Sequence, residues 1–262
     1  MEEIRYEFMR PRQIIAGREK ASVAYIPIGP LEWHAPHLPY GTDMLHAYAM
    51  ALEAARETGG VVLPPLPLGT ETYTEPERLR YQGFRGDERV LGIDFPGFPL
   101  TSLYIEESAF GVIVRELVRA LKRQAFRVIA LVNGHGAPNQ RTTLERLAME
   151  ETEPGKVAVF LTGFRYVTRY RGHAELGETS FMLAYHPETV DLTALPSLPT
   201  PLRNLDFAVL DGPTCAGQPT QDFTVRPGQD PRRAEAARGR EDVAYEAHQI
   251  ALKVQELLAP KS

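Results

Sequence analysis

Short apolar stretches alternate along the chain with segments whose apolar residues recur every three or four positions, which predicts strands interleaved with helices. Ser22–Gly29 (SVAYIPIG) reads as a buried strand, closed by a turn rich in proline and histidine. A helix follows over Asp43–Thr58, with Thr42 or Asp43 as its natural cap and Gly59-Gly60 as its stop. Val61–Leu68 is extended but holds three prolines, so it reads as an edge strand or a strand that ends early. Residues 69–100 are broken by glycine and proline throughout and read as a long loop over a site, with a subunit contact as the competing reading. Tyr104–Phe126 is a long helix with Phe110, Ile113, Leu117 and Leu121 on one face. Arg127–Val132 is the clearest buried strand, and Asn133-Gly134-His135-Gly136 breaks it. Helix Asn139–Glu151, strand Lys156–Thr162 and a helix opening over Glu178–Tyr185 come next. Val190–Pro231 reads as irregular, and Arg232–Leu258 as a final helix with Val243, Ala247, Ile250, Val254 and Leu257 on one face.

Strands separated by helices in this way imply a mostly parallel sheet covered on both faces, with ligands bound beyond the carboxyl ends of the strands. The 262 residues suffice for one α/β domain spanning 1–262. Apolar residues at 43% and charged ones at 24% exclude disordered, collagen-like and disulfide-stapled classes. A net charge of −5 without a basic run argues against nucleic acid as a partner. No apolar run is long enough to span a membrane. The single cysteine, Cys215, can form neither an internal disulfide nor a cysteine-based zinc site, and reads as a packed or loop thiol. Without a charged-then-apolar leader pattern at the start, the expected compartment is the cytoplasm.

The unusual residues sit just beyond the strand ends. Four of the seven histidines fall in three short clusters. In the first, Glu32 and His34 are two residues apart, so an extended backbone points both side chains to one side. Such a pair can offer an oxygen and an imidazole nitrogen to cations, and Asp43 can return to the same place at a helix start. The same residues also suit a plain helix cap and a hydrogen-bonded turn histidine. In the second, two glycines around His135 hold an imidazole at the ligand edge of the sheet, or simply make a turn. The third joins His173, able to transfer a proton, to Glu175 and Glu178 before a helix, where Glu178 or Thr179 can equally cap. The chain has no His-Glu-x-x-His helix, no Gly-x-Ser-x-Gly elbow and no Walker A loop.

In this order the three clusters resemble the creatininase (creatinine amidohydrolase) family. Its first motif, approximately Gly-x-x-Glu-Gln-His-Gly-Pro-His-Leu-Pro-x-x-Thr-Asp, is matched by Gly29, Glu32, His34, Pro36, His37, Leu38, Pro39, Thr42 and Asp43. Its second, Asn-Gly-His-Gly-Gly-Asn, is similar to Asn133, Gly134, His135 and Gly136. Its third, His-Ala-Gly-x-x-Glu-Thr-Ser, is similar to His173, Ala174, Glu178, Thr179 and Ser180, and Phe95-Pro96-Gly97 echoes a family loop. The resemblance implies a three-layer α/β/α fold with two divalent metal ions per subunit (zinc, manganese or iron) at the strand ends. By motif position Glu32, Asp43 and His135 hold one ion, and Asp43 bridges to a second held by His34. Creatininases place an acidic residue two positions after the second-motif histidine. Here that position is Ala137, so Glu178 is the residue expected to complete the site. One bridging carboxylate, two terminal ones and two imidazoles leave the loaded centre near +1, which suits activating a bridging water to hydroxide. Family position assigns His173 to proton transfer rather than ligation.

The implied activity is hydrolysis of an amide, cyclic or formyl, in a small molecule by metal-bound hydroxide. Ring opening of a cyclic ketone of the inosose type on the same metals is the enzymatic alternative, and a non-catalytic metal-binding scaffold is the other. The resemblance also implies a homo-oligomer, often a hexamer. Several departures bear on the substrate: Trp33 and Ala35 replace the usual Gln and Gly, Pro138 displaces the second-motif Asn to Asn139, and Glu175-Leu176-Gly177 differs from the third motif. Asp94 stands where a His often precedes Phe-Pro-Gly, and Phe98-Pro99-Leu100 reads as an insertion. Creatininase encloses its substrate with tryptophans on later loops, whereas this chain has only Trp33, which argues against creatinine.

Overall fold

The computed structural model describes residues 2–98, 100–164, 166, 172–205, 208–209 and 223–259; Cys215 and much of the segment around it lie outside the described residues. Its elements in chain order are α1 (Pro11–Lys20), β1 (Val23–Ile28), α2 (Thr42–Thr58), β2 (Val61–Val62), α3 (Pro76–Tyr81), α4 (Glu107–Arg123), β3 (Val128–Asn133), α5 (Pro138–Glu151), β4 (Ala158–Gly163) and α6 (Leu176–Tyr185). Three short strands, β5 (Arg203–Leu205), β6 (Ala208–Val209) and β7 (Phe223–Thr224), precede the last helix, α7 (Ala236–Leu258).

Alternate residues of a strand point to opposite faces, and here both faces are apolar. Ala24, Ile26 and Ile28 of β1, with Ile129 and Leu131 of β3, pack against Phe110, Val114 and Val118 of α4 and Leu144 of α5. The intervening Val23, Tyr25, Val128, Ala130 and Val132 pack against Met50 and Ala54 of α2 and Ile250 and Val254 of α7. A sheet buried on both sides gives the three layers. Each fully buried aliphatic side chain contributes about 1.5–3 kcal/mol through removal from water.

The four central strands are parallel, in the order β2-β1-β3-β4. The chain leaves β1 through α2 on one face of the sheet and leaves β3 through α5 on the other. These neighbouring strands therefore send their connections in opposite directions, which opens a crevice beyond their carboxyl ends. Gly134 lies at this point: a Cβ there would sit 2.0 Å from the Asp43 carbonyl oxygen, so only glycine lets α2 start against the exit of β3.

Three expectations change. The helix α4 begins at Glu107 rather than Tyr104, because the Leu103 and Ile105 amides bond to the Leu31 and Gly69 carbonyls and hold that segment extended. Its buried stripe includes Val114 and Val118, and Ile113 is 45% exposed. Val61–Leu68 behaves as its prolines lead one to expect: β2 is an edge strand that ends after Val62. The stretch from Val190 to Pro231 contains a small antiparallel sheet, β6-β5-β7, whose strands are too short to show alternation in sequence. A helix over Pro11–Lys20 adds to the elements expected. Among the described residues, no helix is long and apolar enough to cross a membrane.

Candidate metal centre

Glu32 and His34 lie on the segment leaving β1, His135 lies two residues beyond β3, and Asp43 is in the first turn of α2. His173 and Glu178 come from the entry and first turn of α6. All six side chains are buried, and they converge at the crevice between β1 and β3. Neither Thr42 nor Asp43 caps α2. Gly41 takes the cap position, the Thr42 hydroxyl donates to the Pro39 carbonyl at 2.8 Å, and the Asp43 carboxylate turns inward.

Asp43 faces a different imidazole with each oxygen: Oδ1 lies 3.2 Å from His34 Nε2, and Oδ2 lies 2.9 Å from His135 Nδ1. Glu178 Oε2 is 3.7 Å from His34 Nε2, and Glu32 Oε2 is 3.5 Å from His135 Nδ1. Two groups of potential ligands thus share Asp43, one with Glu32 and His135, the other with His34 and Glu178; in each, the donor atoms lie within 4.8 Å of one another. Glu32, His34 and His173 form a third group by the same measure. Ala137, at the N-cap position of α5, presents only a methyl group to the cavity, while Glu178 reaches His34 from the other side. The Ala174 amide donates to Glu178 Oε2 at 2.6 Å and holds that carboxylate in place.

Backbone carbonyls settle two imidazole tautomers, since a carbonyl only accepts. His34 Nδ1–H donates to the Glu32 carbonyl at 3.0 Å, which leaves Nε2 facing the carboxylates of Asp43 and Glu178. His173 Nε2–H donates to the Trp33 carbonyl, which leaves Nδ1 facing Glu32 Oε2 at 3.6 Å. A lone pair cannot stably face two carboxylate oxygens, so a proton or a cation must lie between them. The protonation equilibria show the same pressure. Burial disfavours a charged His34, yet Asp43 and Glu178 outweigh it and push the imidazole up to about 10. His135 is likewise raised against burial by Glu32 and Asp43, and Asp43 is held well below the usual carboxylate range by His34 and His135 despite burial. Burial pushes Glu178 up to about 7. His173 moves the other way: burial and the neighbouring His34, whose ring centroid is 4.1 Å away, lower it to about 4. Carboxylate oxygens and imidazole nitrogens in this arrangement form a donor set that fits zinc, manganese or iron.

Glu32, Asp43, His135, His173 and Glu178 line a cavity of about 630 Å³, with His34 buried behind them. Glu71, Tyr73, Arg78, Ile93 and Phe95 contribute one wall, so the segment expected to lie over a site does so, with α3 folded inside it. Phe164, Gly172 and Arg226 also line the cavity. Glu175, the other carboxylate of the third cluster, pairs with Arg226 and not with the histidines. Two residues of the site escape sequence reasoning. Tyr104 donates its hydroxyl to Glu32 Oε1, and Glu71 Oε1 lies 3.4 Å from His135 Nε2. Neither stands in a motif; the only signal is that Glu71 lies inside the predicted long loop and Tyr104 shortly after it.

The family model of creatininase, described as creatinine amidohydrolase, matches residues 7–253. Creatinine amidohydrolase of Pseudomonas putida is 25% identical over 229 residues, covering 80% of this chain and 76% of that protein. The candidate creatinine amidohydrolase of Bacteroides fragilis shares the fold with a TM-score of 0.65 at 23% identity, over 100% of this chain and 98% of that one. A crystal structure of creatinine amidohydrolase (creatininase) gives 0.62 at 20% identity over 100% of both chains. Structural likeness at these identities carries the fold alone.

Proposed function

The chain belongs to the creatininase family of metal-dependent amidohydrolases, and on that premise we propose that it binds two divalent ions sharing Asp43 and hydrolyses a cyclic amide or formamide of a small molecule. The observation that carries the two-ion reading is the split of the Asp43 carboxylate between His34 and His135. Glu32, Asp43 and His135 would hold one ion, and His34, Asp43 and Glu178 the other. Solved creatininases include a manganese form and a mutant Zn-Zn form, which supports drawing the ions from that set. Divalent ions bound there would supply Lewis acidity, polarising the amide carbonyl and making water a stronger acid.

The chain's own residues do the rest. Tyr104 holds Glu32 by one oxygen and the Ala174 amide holds Glu178, so neither carboxylate has to reorganise during turnover. His173 is neutral at pH 7, with its proton committed to the Trp33 carbonyl through Nε2. Its free Nδ1 can take the proton that water loses on attacking the carbonyl. The same nitrogen then returns that proton to the departing nitrogen as the C–N bond breaks. The wall facing this chemistry mixes Ile93 and Phe95 with Glu71 and Arg78, and the cavity volume suits a metabolite-sized molecule. Trp33 instead packs on Phe98 at 4.8 Å and on Tyr40, outside the cavity lining among the described residues, so the tryptophan enclosure of creatininase has no counterpart here. Metal-loaded protein assayed on a panel of cyclic amides, N-formyl compounds, creatinine and cyclic ketones tests the reading. Appearance of a new amino group and carboxylate from an amide, within one ring-opened product for a cyclic amide or as amine and formate for an N-formyl compound, supports it, and turnover confined to ketones contradicts it.

A further inference from the structure

We propose that Glu71 is a positioning residue of the metal centre: its carboxylate accepts the Nε2–H of His135 and so commits Nδ1 to the ion held with Glu32 and Asp43. The proposal rests on the two-ion reading above and extends it to a residue of the cavity wall.

His135 has two ring nitrogens with different surroundings. Nδ1 faces Asp43 Oδ2 at 2.9 Å and Glu32 Oε2 at 3.5 Å. Nε2 is buried without a regular hydrogen bond, and Glu71 Oε1 lies 3.4 Å from it. Once Nδ1 gives its lone pair to a cation, Nε2 must carry the proton, and a buried N–H needs an acceptor. Closing the gap by a few tenths of an ångström makes Glu71 that acceptor. A carboxylate in this position fixes the tautomer, orients the ring and makes the coordinating nitrogen more basic.

The surroundings of Glu71 hold it for this role. Its other oxygen, Oε2, accepts from the Thr72 amide at 3.0 Å, which leaves Oε1 directed at His135. Gly92, whose amide donates to the Thr72 carbonyl at 3.0 Å, lies against the Glu71 side chain with φ of +58°. A Cβ at that position would lie 2.8 Å from Glu71 Cγ and 2.8 Å from the Tyr104 hydroxyl. Glycine at 92 therefore leaves room for both outer contacts, Glu71 on His135 and Tyr104 on Glu32. Glu71 belongs to neither group of potential ligands and has no contact with His34 or Glu178 among the described interactions, so its effect is confined to one ion.

Zinc titration of the metal-free full-length protein against a competing chromophoric chelator tests the proposal, with the melting temperature of each metal-free variant measured alongside. Wild-type protein is expected to show two zinc affinities. Glu71→Ala should weaken one of them by about 10–100-fold, the usual worth of such a partner, and leave the other in place. Glu71→Gln, which keeps an acceptor oxygen without the charge, should recover part of the loss. Gly92→Ala should weaken the same affinity while leaving every titratable group present. Unchanged affinities in Glu71→Ala would overturn the proposal, and so would equal weakening of both sites with a lowered melting temperature, since that marks a collapsed wall. A wild-type protein that binds no zinc would instead bring down the two-ion reading beneath it.

Discussion

Asp43 and His135, 92 residues apart in the chain, meet with Oδ2 2.9 Å from Nδ1, one at the start of a helix and the other just past the end of a strand. Their meeting depends on backbone shape as much as on charge. The first turn of α2 presses on Gly134, and no side chain fits between that glycine and the Asp43 carbonyl. The topology brings α2 to this place, because β1 and β3 are neighbours whose connections leave on opposite faces of the sheet.

His173→Ala should keep the full complement of bound metal and lose turnover by about 10²–10⁴-fold, the ordinary worth of general acid–base catalysis. Its Nδ1 faces the cluster while its Nε2 is tied to a backbone carbonyl, so removing the ring takes away the proton carrier and leaves the other donors standing. Metal content by mass spectrometry and kcat on the same preparation check this. A variant short of one ion would place His173 among the ligands, and one with full activity would remove it from the chemistry.

Metal binding should release protons. His34, pushed up to about 10, and His135, raised in the same direction, carry protons at pH 7 when no cation faces them. Both groups have raised pKa values, so the competing protonated form is filled at neutral pH and empties only as pH climbs. Apparent affinity should therefore rise from about pH 6 to about pH 9, because ions and protons compete for the same nitrogens. Calorimetric heats in buffers of different ionisation enthalpy give the number released. A count of zero at pH 7 would mean that these imidazoles are not the ligands.

The candidate ligands and the candidate proton carrier are legible in the sequence because each stands in a short run of unusual residue types directly after a strand or before a helix. Glu32, His34, Asp43, His135, His173 and Glu178 can be named that way, and the structure brings all six together. Tyr104 and Glu71 cannot, because their partners are distant in the chain and a lone tyrosine or glutamate in a loop has no local signature. Asp43 is ambiguous in sequence for a physical reason: a carboxylate in the first turn of a helix serves a cap and a cation equally well. The layers follow from apolar periodicity, which marks the strands well but leaves the face of α4 uncertain by one position, since Ile113 and Val114 both fit a step of three or four.

That one-position difference predicts unequal stabilities. Leu121→Ala, on the buried face of α4, should lower unfolding stability by about 2–5 kcal/mol through lost transfer energy and the cavity left behind. Ile113→Ala, on the exposed side, should change it by no more than about 0.5 kcal/mol. Denaturant titration of the two variants compares them, and equal losses would put Ile113 in the core.

The most direct test of the shared-carboxylate centre is the zinc content of wild-type and Asp43→Ala protein after equilibrium dialysis, with circular dichroism to show that both are folded. Asp43 stands in both ligand groups, so its removal strips a donor from each. Close to two ions per chain are expected in the wild type and fewer than about one in the variant. A wild type that stops at one ion, or a folded Asp43→Ala protein that keeps two, would contradict the shared-carboxylate centre.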